Sequence, residues 1–286
     1  MPRLGWLHPF NIHEEREMSS AKLAVIGFGA MGRALTSGLI ERGVVAASDV
    51  VITDVDESKR RAAAEELGVR EASSNIEAVA GAETIVIAVK PQDAGAVLAE
   101  IEQTVTPAQL VVSIVAGVSC QTIESHLSVG VPVVRVMPNT PSLVGAGAAA
   151  FALGTSGRPE HAEEVAGMLS AVGLAFEVPE KLLDAVTGLS GSGPAYVYTM
   201  IEALADAGVS VGLPRAIASG LAAQTVLGAA KMVIETGQHP AGLRDAVASP
   251  GGTTIAGIAA LERSGFRAAV INAVQAATKR SQELSG

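Results

Sequence analysis

The stretch Val25-Ile26-Gly27-Phe28-Gly29-Ala30-Met31-Gly32 decides the fold of this chain. Apolar residues at 23–26 predict a strand, and a helix is expected over about 31–41. Gly27 allows a tight turn, Gly29 leaves room for a pyrophosphate at the backbone, and Gly32 lets the helix pack close to the strand. A second predicted strand, 50–53, completes a βαβ unit, which favours a dinucleotide site over a purely structural glycine turn.

Length and composition set the domain organisation. A chain of 286 residues predicts two domains at roughly 150 residues each. We assign 21–180 to a dinucleotide-binding Rossmann domain and 181–286 to a helical substrate-binding and dimerisation domain. Residues 1–20 are expected to be a disordered arm or the product of an upstream start codon. Half the chain is apolar but only 3% is aromatic, a composition typical of buried parallel strands packed against helices.

The hydrophobic pattern changes its period at about residue 180. Before that point, apolar runs predict strands at 23–26, 50–53, 84–89, 110–115, 133–136, 147–153 and 174–178. After it, helical spacing predicts helices at about 194–207, 215–235, 241–248, 254–264 and 266–283. The predicted fold class is α/β: an N-terminal Rossmann-like doubly wound sheet followed by an all-α C-terminal dimerisation domain. The helix at 215–235 is apolar over most of its circumference, which favours a homodimer.

Charge and residue usage restrict the partners. The net charge of −9 and pI near 5.1 argue against nucleic acid or an anionic membrane as a partner. No run approaches the roughly 18 uninterrupted apolar residues of a membrane helix, so no membrane partner is expected. The single cysteine, Cys120, excludes an internal disulfide and fits the cytoplasm. His126, His161 and His239 lack ligand spacing, so we predict no metal.

Two glycine-rich segments in the second half precede predicted helices. They are Gly188-Leu189-Ser190-Gly191-Ser192-Gly193-Pro194-Ala195-Tyr196 and Ser249-Pro250-Gly251-Gly252-Thr253-Thr254. Glycines before a helix leave backbone N–H groups free and direct the helix dipole outward, which suits a carboxylate or phosphate. In an acidic protein such a site could hold a small anionic substrate. Each segment is also compatible with an ordinary helix cap, because Ser and Thr are common N-caps.

Several segments together resemble the pyrroline-5-carboxylate reductase family, from about residue 21 to the end. They are Ile26 to Gly32, Ala88-Val89-Lys90-Pro91, Ser113 to Val118, Arg135 to Pro141, Gly188 to Tyr196, Ala230 to Met232, Ser249 to Thr254, Leu261-Glu262 and Gly265 to Arg267. The resemblance implies NAD(P)H-dependent reduction of the cyclic imine 1-pyrroline-5-carboxylate to L-proline, the last step of proline biosynthesis. It also implies a homodimer, with a higher assembly of dimers left open.

Site residues follow from the resemblance position by position. The cofactor-binding residues would be Ile26, Gly27, Phe28, Gly29, Ala30, Met31, Gly32, Asn75, Ala88, Val89, Lys90, Pro91, Ile114, Val115 and Ala116. The substrate carboxylate would meet Ser249, Gly251, Gly252 and Thr253, and Thr254 would hydrogen-bond the ring nitrogen as the catalytic residue. Lys90 could approach a cofactor phosphate or the substrate, but a lysine at the end of a strand is more often simply solvated.

The choice between NADPH and NADH stays open in the sequence. Asp54 follows the second strand, where a carboxylate accepts hydrogen bonds from the ribose 2′-OH and repels a 2′-phosphate. That position favours NADH. Lys59, Arg60 and Arg61 follow closely, and the resembled family more often uses NADPH.

Two other functions are open to a chain with a dinucleotide-binding domain and a helical domain. β-Hydroxyacid dehydrogenases have the same two-domain plan but use a lysine as acid/base, and this chain has Val197 and Ile201 where their lysine and asparagine would fall. A non-catalytic dinucleotide-binding sensor is the second. The intact Ser249 to Thr254 segment disfavours a sensor.

Overall fold

The computed structural model describes residues 23–285. The predicted N-terminal extension, residues 1–20, therefore lies outside the described residues. The described chain forms two compact units: residues 23–191 with 277–285, and residues 192–276. The first unit is built on a sheet and the second is helical, as the sequence predicted.

The sheet of the first unit has eight strands within the described residues. They are β1 (Leu23–Ile26), β2 (Val50–Thr53), β3 (Arg70–Glu71), β4 (Thr84–Ile87), β5 (Leu110–Ser113), β6 (Val133–Met137), β7 (Gly147–Leu153) and β8 (Gly173–Glu177). Their order is β3-β2-β1-β4-β5-β6-β7-β8, and only β6 and β7 pair antiparallel. Ile26 lies between Thr53 and Ile87 in the register, so the carboxyl ends of β1, β2 and β4 meet at one edge.

Helices cover both faces of this sheet. In the first unit they are α1 (Ala30–Glu41), α2 (Glu57–Leu67), α3 (Asn75–Val79), α4 (Pro91–Ile101), α5 (Cys120–Glu124), α6 (Pro159–Ser170) and α7 (Leu183–Val186). Val25 and Val86 belong to one buried apolar cluster, while Ala24 and Ile85 belong to another. Because neighbouring strand residues point to opposite faces, these clusters are the two layers of a doubly wound fold.

The second unit consists of helices joined by short turns. They are α8 (Gly193–Ser210), α9 (Arg215–Thr236), α10 (Pro240–Ala246), α11 (Thr253–Arg263) and α12 (Phe266–Ser285), the last of which ends in the first unit. Within residues 192–276 the buried apolar side chains are three alanines: Ala205, Ala218 and Ala222. Such a small buried set leaves most of the apolar surface of these helices open to solvent.

Among the described helices α9 is the longest, and it carries several exposed large apolar side chains. Leu221, Leu227 and Ile234 are 55%, 60% and 69% exposed. By length and hydropathy α9 could also cross a membrane, with a mean hydropathy of 1.5 over its best window, but one such helix is weak evidence. The expectation of no membrane partner stays a prediction.

Candidate active site

The glycine-rich turn lies at the carboxyl edge of the sheet, between β1 and α1. Gly27 has a φ of +90°, a conformation that glycine adopts without strain, and its N–H donates to the Thr53 carbonyl over 2.8 Å. A Cβ at Gly27 would lie 2.7 Å from the Ala88 carbonyl oxygen. The turn is therefore tight against both neighbouring strand ends.

Gly29 and Gly32 differ in their surroundings. A Cβ at Gly32 would lie 2.4 Å from the Gly27 carbonyl oxygen and 3.3 Å from the Ala88 Cβ, so this glycine permits close packing of α1. A Cβ at Gly29 would meet no atom within 4 Å. Gly29 is also the N-cap of α1, which has no capping side chain and no acidic residue in its first turn. This open helix start has the free N–H groups and the dipole that a pyrophosphate requires.

Asp54 is part of the same edge. Its Oδ2 accepts the Phe28 N–H at 2.8 Å, and its Oδ1 accepts the Asp56 N–H at 2.9 Å. The carboxylate thus ties the end of β2 to the glycine turn. Its position beside that turn is where a dinucleotide ribose is held in this fold class.

The segments after β4 and β5 extend the edge. The Ala88 N–H donates to the Ile26 carbonyl at 2.8 Å, and the Ile114 N–H donates to the Ile87 carbonyl at 3.0 Å. The strand ladders therefore continue into the segments that contain Ala88 to Pro91 and Ile114 to Ala116. Ala88 to Pro91 follows β4 beside the end of β1, which carries the glycine turn, and Ile114 to Ala116 follows β5 beside the end of β4. Most of the predicted cofactor residues therefore lie at one edge of the sheet.

Two predicted cofactor residues, Asn75 and Lys90, lie at the starts of helices α3 and α4. Asn75 begins α3, and its Nδ2 donates to Glu100 Oε2 at 2.7 Å. Lys90 is exposed, is the N-cap of α4, and pairs with no carboxylate of the described residues.

The predicted substrate segment lies in the second unit, at the start of α11. Gly251 has a φ of +66°, and the Gly252 N–H donates to the Ser249 carbonyl at 3.0 Å, which closes a turn before the helix. Gly252 is the N-cap, with no capping side chain and no acidic residue in the first turn. Thr254, in that turn, is half-buried. The helix start therefore offers backbone donors to an anion.

The other glycine-rich segment differs from the expected loop. Residues Thr187–Gly191 form a π-helical turn that runs into α8. The Thr187 hydroxyl donates to the Leu183 carbonyl and the Ser190 hydroxyl to the Val186 carbonyl, so side chains supplement the backbone bonding of the wider turn. A Cβ at Gly191 would lie 2.6 Å from Met137 Cε, which explains a glycine there.

Asn139 is a residue to which the sequence analysis gave no role. It is 7% exposed, its Nδ2 donates to the Ser190 carbonyl at 3.0 Å, and its Oδ1 accepts the Ala148 N–H at 2.9 Å. It therefore connects the end of β6 to the π-helical turn. An asparagine after a proline at the end of a predicted strand was the signal that could have identified it.

The lysine and asparagine that a β-hydroxyacid dehydrogenase needs are absent from α8. Val197 and Ile201 lie on this helix, which contains no lysine. Among the residues that the structure describes, no group of three His, Cys, Asp or Glu side chains could hold a metal ion.

Comparison with protein-family models gives two matches. Residues 180–284 match the model described as pyrroline-5-carboxylate reductase dimerisation. Residues 22–117 match a model described as NADP oxidoreductase, coenzyme F420-dependent. The first match covers the helical region and the second covers the glycine turn and the first strands of the sheet.

Similar proteins extend over nearly the whole chain. The pyrroline-5-carboxylate reductase of Methanosarcina acetivorans is 47% identical over 267 residues, 93% of this chain and 99% of that protein. A solved structure of a pyrroline-5-carboxylate reductase from Coxiella burnetii has a TM-score of 0.89 and 36% identity, covering 94% of this chain and 100% of the other. The Plasmodium falciparum pyrroline carboxylate reductase with NADP bound has a TM-score of 0.84 and 34% identity, with the same coverage.

Proposed function

This chain belongs to the pyrroline-5-carboxylate reductase family, and on that premise we propose which of its residues bind the cofactor and which bind the substrate. The reaction is the NAD(P)H-dependent reduction of the cyclic imine 1-pyrroline-5-carboxylate to L-proline. When bound, the dinucleotide supplies a hydride from the nicotinamide ring. We assign its binding to the sheet edge of the first unit and the substrate carboxylate to the start of α11.

The described residues fit a dinucleotide. The open space at Gly29 leaves room for a pyrophosphate beside the uncapped start of α1, whose N–H groups would donate to it. Asp54 has acceptor oxygens beside the glycine turn for a ribose. Ala88 to Pro91 and Ile114 to Ala116 would contact the rest of the molecule, because they continue the neighbouring strands at the same edge.

The start of α11 carries the proposal for the substrate. In a protein of net charge −9, an anionic substrate must be held by local donors. The Gly252 N-cap leaves the first N–H groups of an eleven-residue helix without a capping side chain. Ser249 is exposed beside them and can donate its hydroxyl. These groups would receive the carboxylate without an arginine.

Thr254 would act at the ring nitrogen. Its hydroxyl can donate or accept a hydrogen bond, so it can hold the imine nitrogen in place while that nitrogen becomes an amine. A threonine hydroxyl is too weak an acid to protonate the imine itself. The proton therefore comes from water or is already on the nitrogen when the substrate binds.

The match of residues 180–284 to a dimerisation-domain model supports dimer formation. We propose that the exposed apolar side chains of α8 and α9 form that interface, because residues 192–276 bury three alanines as their whole apolar core. A higher assembly of dimers is compatible with this arrangement. We also propose the reducing cytoplasm as the location, since Cys120 is a free and buried thiol.

The test of this function follows cofactor oxidation at the nicotinamide absorbance with 1-pyrroline-5-carboxylate as substrate. The wild type should turn over, and Thr254→Ala should lose about 10²-fold or more in kcat/KM, the effect expected when a group that holds a reacting atom is removed. Thr254→Ser keeps the hydroxyl and should recover much of that loss.

Thr104→Ala is a matched control. Thr104 is also a half-buried threonine, but it lies in the turn after α4, outside the proposed site, so its substitution should leave turnover unchanged. Absence of turnover by a folded wild type that binds the dinucleotide would refute the proposed function. Equal rates for Thr254→Ala and the wild type would refute the role of Thr254.

A further inference from the structure

The carboxylate of Asp54 is held in a fixed position beside the glycine turn. Each of its oxygens accepts one backbone N–H, Oδ2 from Phe28 at 2.8 Å and Oδ1 from Asp56 at 2.9 Å. Because an ionised carboxylate offers about four acceptor sites, roughly one site on each oxygen remains for another donor. The two hydrogen bonds also prevent the Asp54 side chain from rotating away from the glycine turn.

The cations that follow Asp54 are matched in number by acidic side chains. Residues 54–61 contain three acidic side chains and three basic ones. Lys59 and Arg61 each pair with an acidic residue one helical turn earlier, and Arg60 donates to the Asp54 backbone carbonyl. The residue directly after Asp54 is Val55, which is fully exposed and uncharged. This end of β2 therefore presents a fixed anion without a surplus of cations.

A ribose 2′-hydroxyl and a 2′-phosphate interact very differently with a carboxylate such as that of Asp54. The hydroxyl is a donor that a carboxylate oxygen can accept, whereas a phosphate monoester carries about −1.5 to −2 charges at pH 7 and only accepts. A phosphate held near the carboxylate would be repelled and would displace water without gaining a donor.

We propose that Asp54 is the specificity-determining residue of the cofactor site and selects NADH over NADPH. This inference rests on the proposed function, in which the sheet edge holds a nicotinamide dinucleotide. Its physical basis is the anchored carboxylate, whose position is set by the glycine turn itself and not by a mobile surface side chain.

Direct binding tests the proposal without turnover. Calorimetric titration of the full chain, in the absence of imine, should give a dissociation constant for NADH at least about tenfold below that for NADPH, a difference that one charge contact readily supplies. The fragments ADP and adenosine 2′,5′-bisphosphate should differ in the same direction. Asp54→Asn should reduce the NADH preference about tenfold or more.

Asp56→Asn is the matched control. It removes the same charge two residues away, and asparagine keeps the N-cap bond that Asp56 accepts from the Ser58 N–H. Its ratio of dissociation constants should stay within about threefold of the wild type, because exposed charges are screened by solvent and salt. Melting temperatures of both variants establish that they are folded.

Three results would overturn the proposal: equal or tighter binding of NADPH by the wild type, an unchanged ratio in a folded Asp54→Asn, or an equal shift in Asp56→Asn. If Asp54→Asn does not fold, the wild-type ratios with dinucleotides and fragments still decide. NADPH preference with turnover refutes this inference and leaves the reductase function standing. NADH preference without turnover of the imine does the reverse.

Discussion

Substitution of Gly29 by alanine should separate binding from folding. Gly29 has φ −72° and ψ −171°, an extended conformation that alanine adopts without strain. Its added Cβ would meet no atom within 4 Å. The free energy of unfolding should therefore change by no more than about 0.5 kcal/mol, the usual range for substitutions that disturb no contact.

The same methyl group would occupy space that a pyrophosphate needs to reach the start of α1. Loss of about two hydrogen bonds to a charged group, at roughly 1.5 kcal/mol or more each, gives about 3 kcal/mol. This corresponds to a roughly 100-fold increase in the dissociation constant. Dinucleotide titration and thermal melting on the same protein sample measure both quantities.

Gly32→Ala is the contrasting variant. Its Cβ would lie 2.4 Å from the Gly27 carbonyl oxygen, so α1 must shift. Overpacking of this kind costs about 1–3 kcal/mol and should lower the melting temperature by several degrees. Two results would refute this reasoning. One is a dissociation constant of Gly29→Ala for the dinucleotide within threefold of the wild-type value. The other is a decrease in the melting temperature of Gly29→Ala as large as that of Gly32→Ala.

Three further predictions concern stability. Glu180 Oε1 accepts hydrogen bonds from the 8% exposed Arg135 at 3.2 Å and from the Cys120 N–H at 2.7 Å. Glu180→Ala should therefore lower the free energy of unfolding by about 2–4 kcal/mol in chemical denaturation, and a decrease below about 0.5 kcal/mol would contradict the pairing. Burial, reinforced by Glu180, raises the pKa of the Cys120 thiol from 9.0 to about 12. The unfolded thiol ionises first, so this contribution to stability is fully present below pH 9 and is lost between pH 9 and 12. Cys120→Ala should flatten that part of the stability profile, and an unchanged slope there would contradict the raised pKa. Finally, the melting temperature should rise with protein concentration, because in the proposed dimer a second copy covers the exposed apolar side chains of the helical unit. A constant melting temperature together with a monomeric mass would contradict this.

The sequence was sufficient for features governed by local patterns. The apolar runs at 50–53 and 147–153 are strands with the predicted bounds, and their hydrophobic residues are buried between the sheet and the helices that cover it. The strand β3 was missed: it has two residues, Arg70 and Glu71, both exposed, so no apolar pattern marks it. Its pairing with β2 is a tertiary effect.

The π-helical turn was missed for a related reason. Glycines at 188 and 191 predict a loop by propensity. In the structure the hydroxyls of Thr187 and Ser190 donate to carbonyls four residues earlier in the chain. The Asn139 amide, which follows β6, donates to the Ser190 carbonyl. Gly191 permits a close approach to Met137 within a continuous helical path and does not reverse the chain. Sequence reasoning identified which residues were unusual but could not identify the contact that required them.

The two proposed anion sites share one physical device. Helices α2 and α3 begin with capping side chains, Asp56 and Ser74, that satisfy their first N–H groups, and each has a glutamate in its first turn. Helices α1 and α11 begin on Gly29 and Gly252, with neither a capping side chain nor an early acidic residue. A side-chain cap stabilises a helix by about 1 kcal/mol, and its omission at these two starts leaves N–H donors available to an external anion. An acidic chain can in this way bind an anionic cofactor and an anionic substrate without a basic surface.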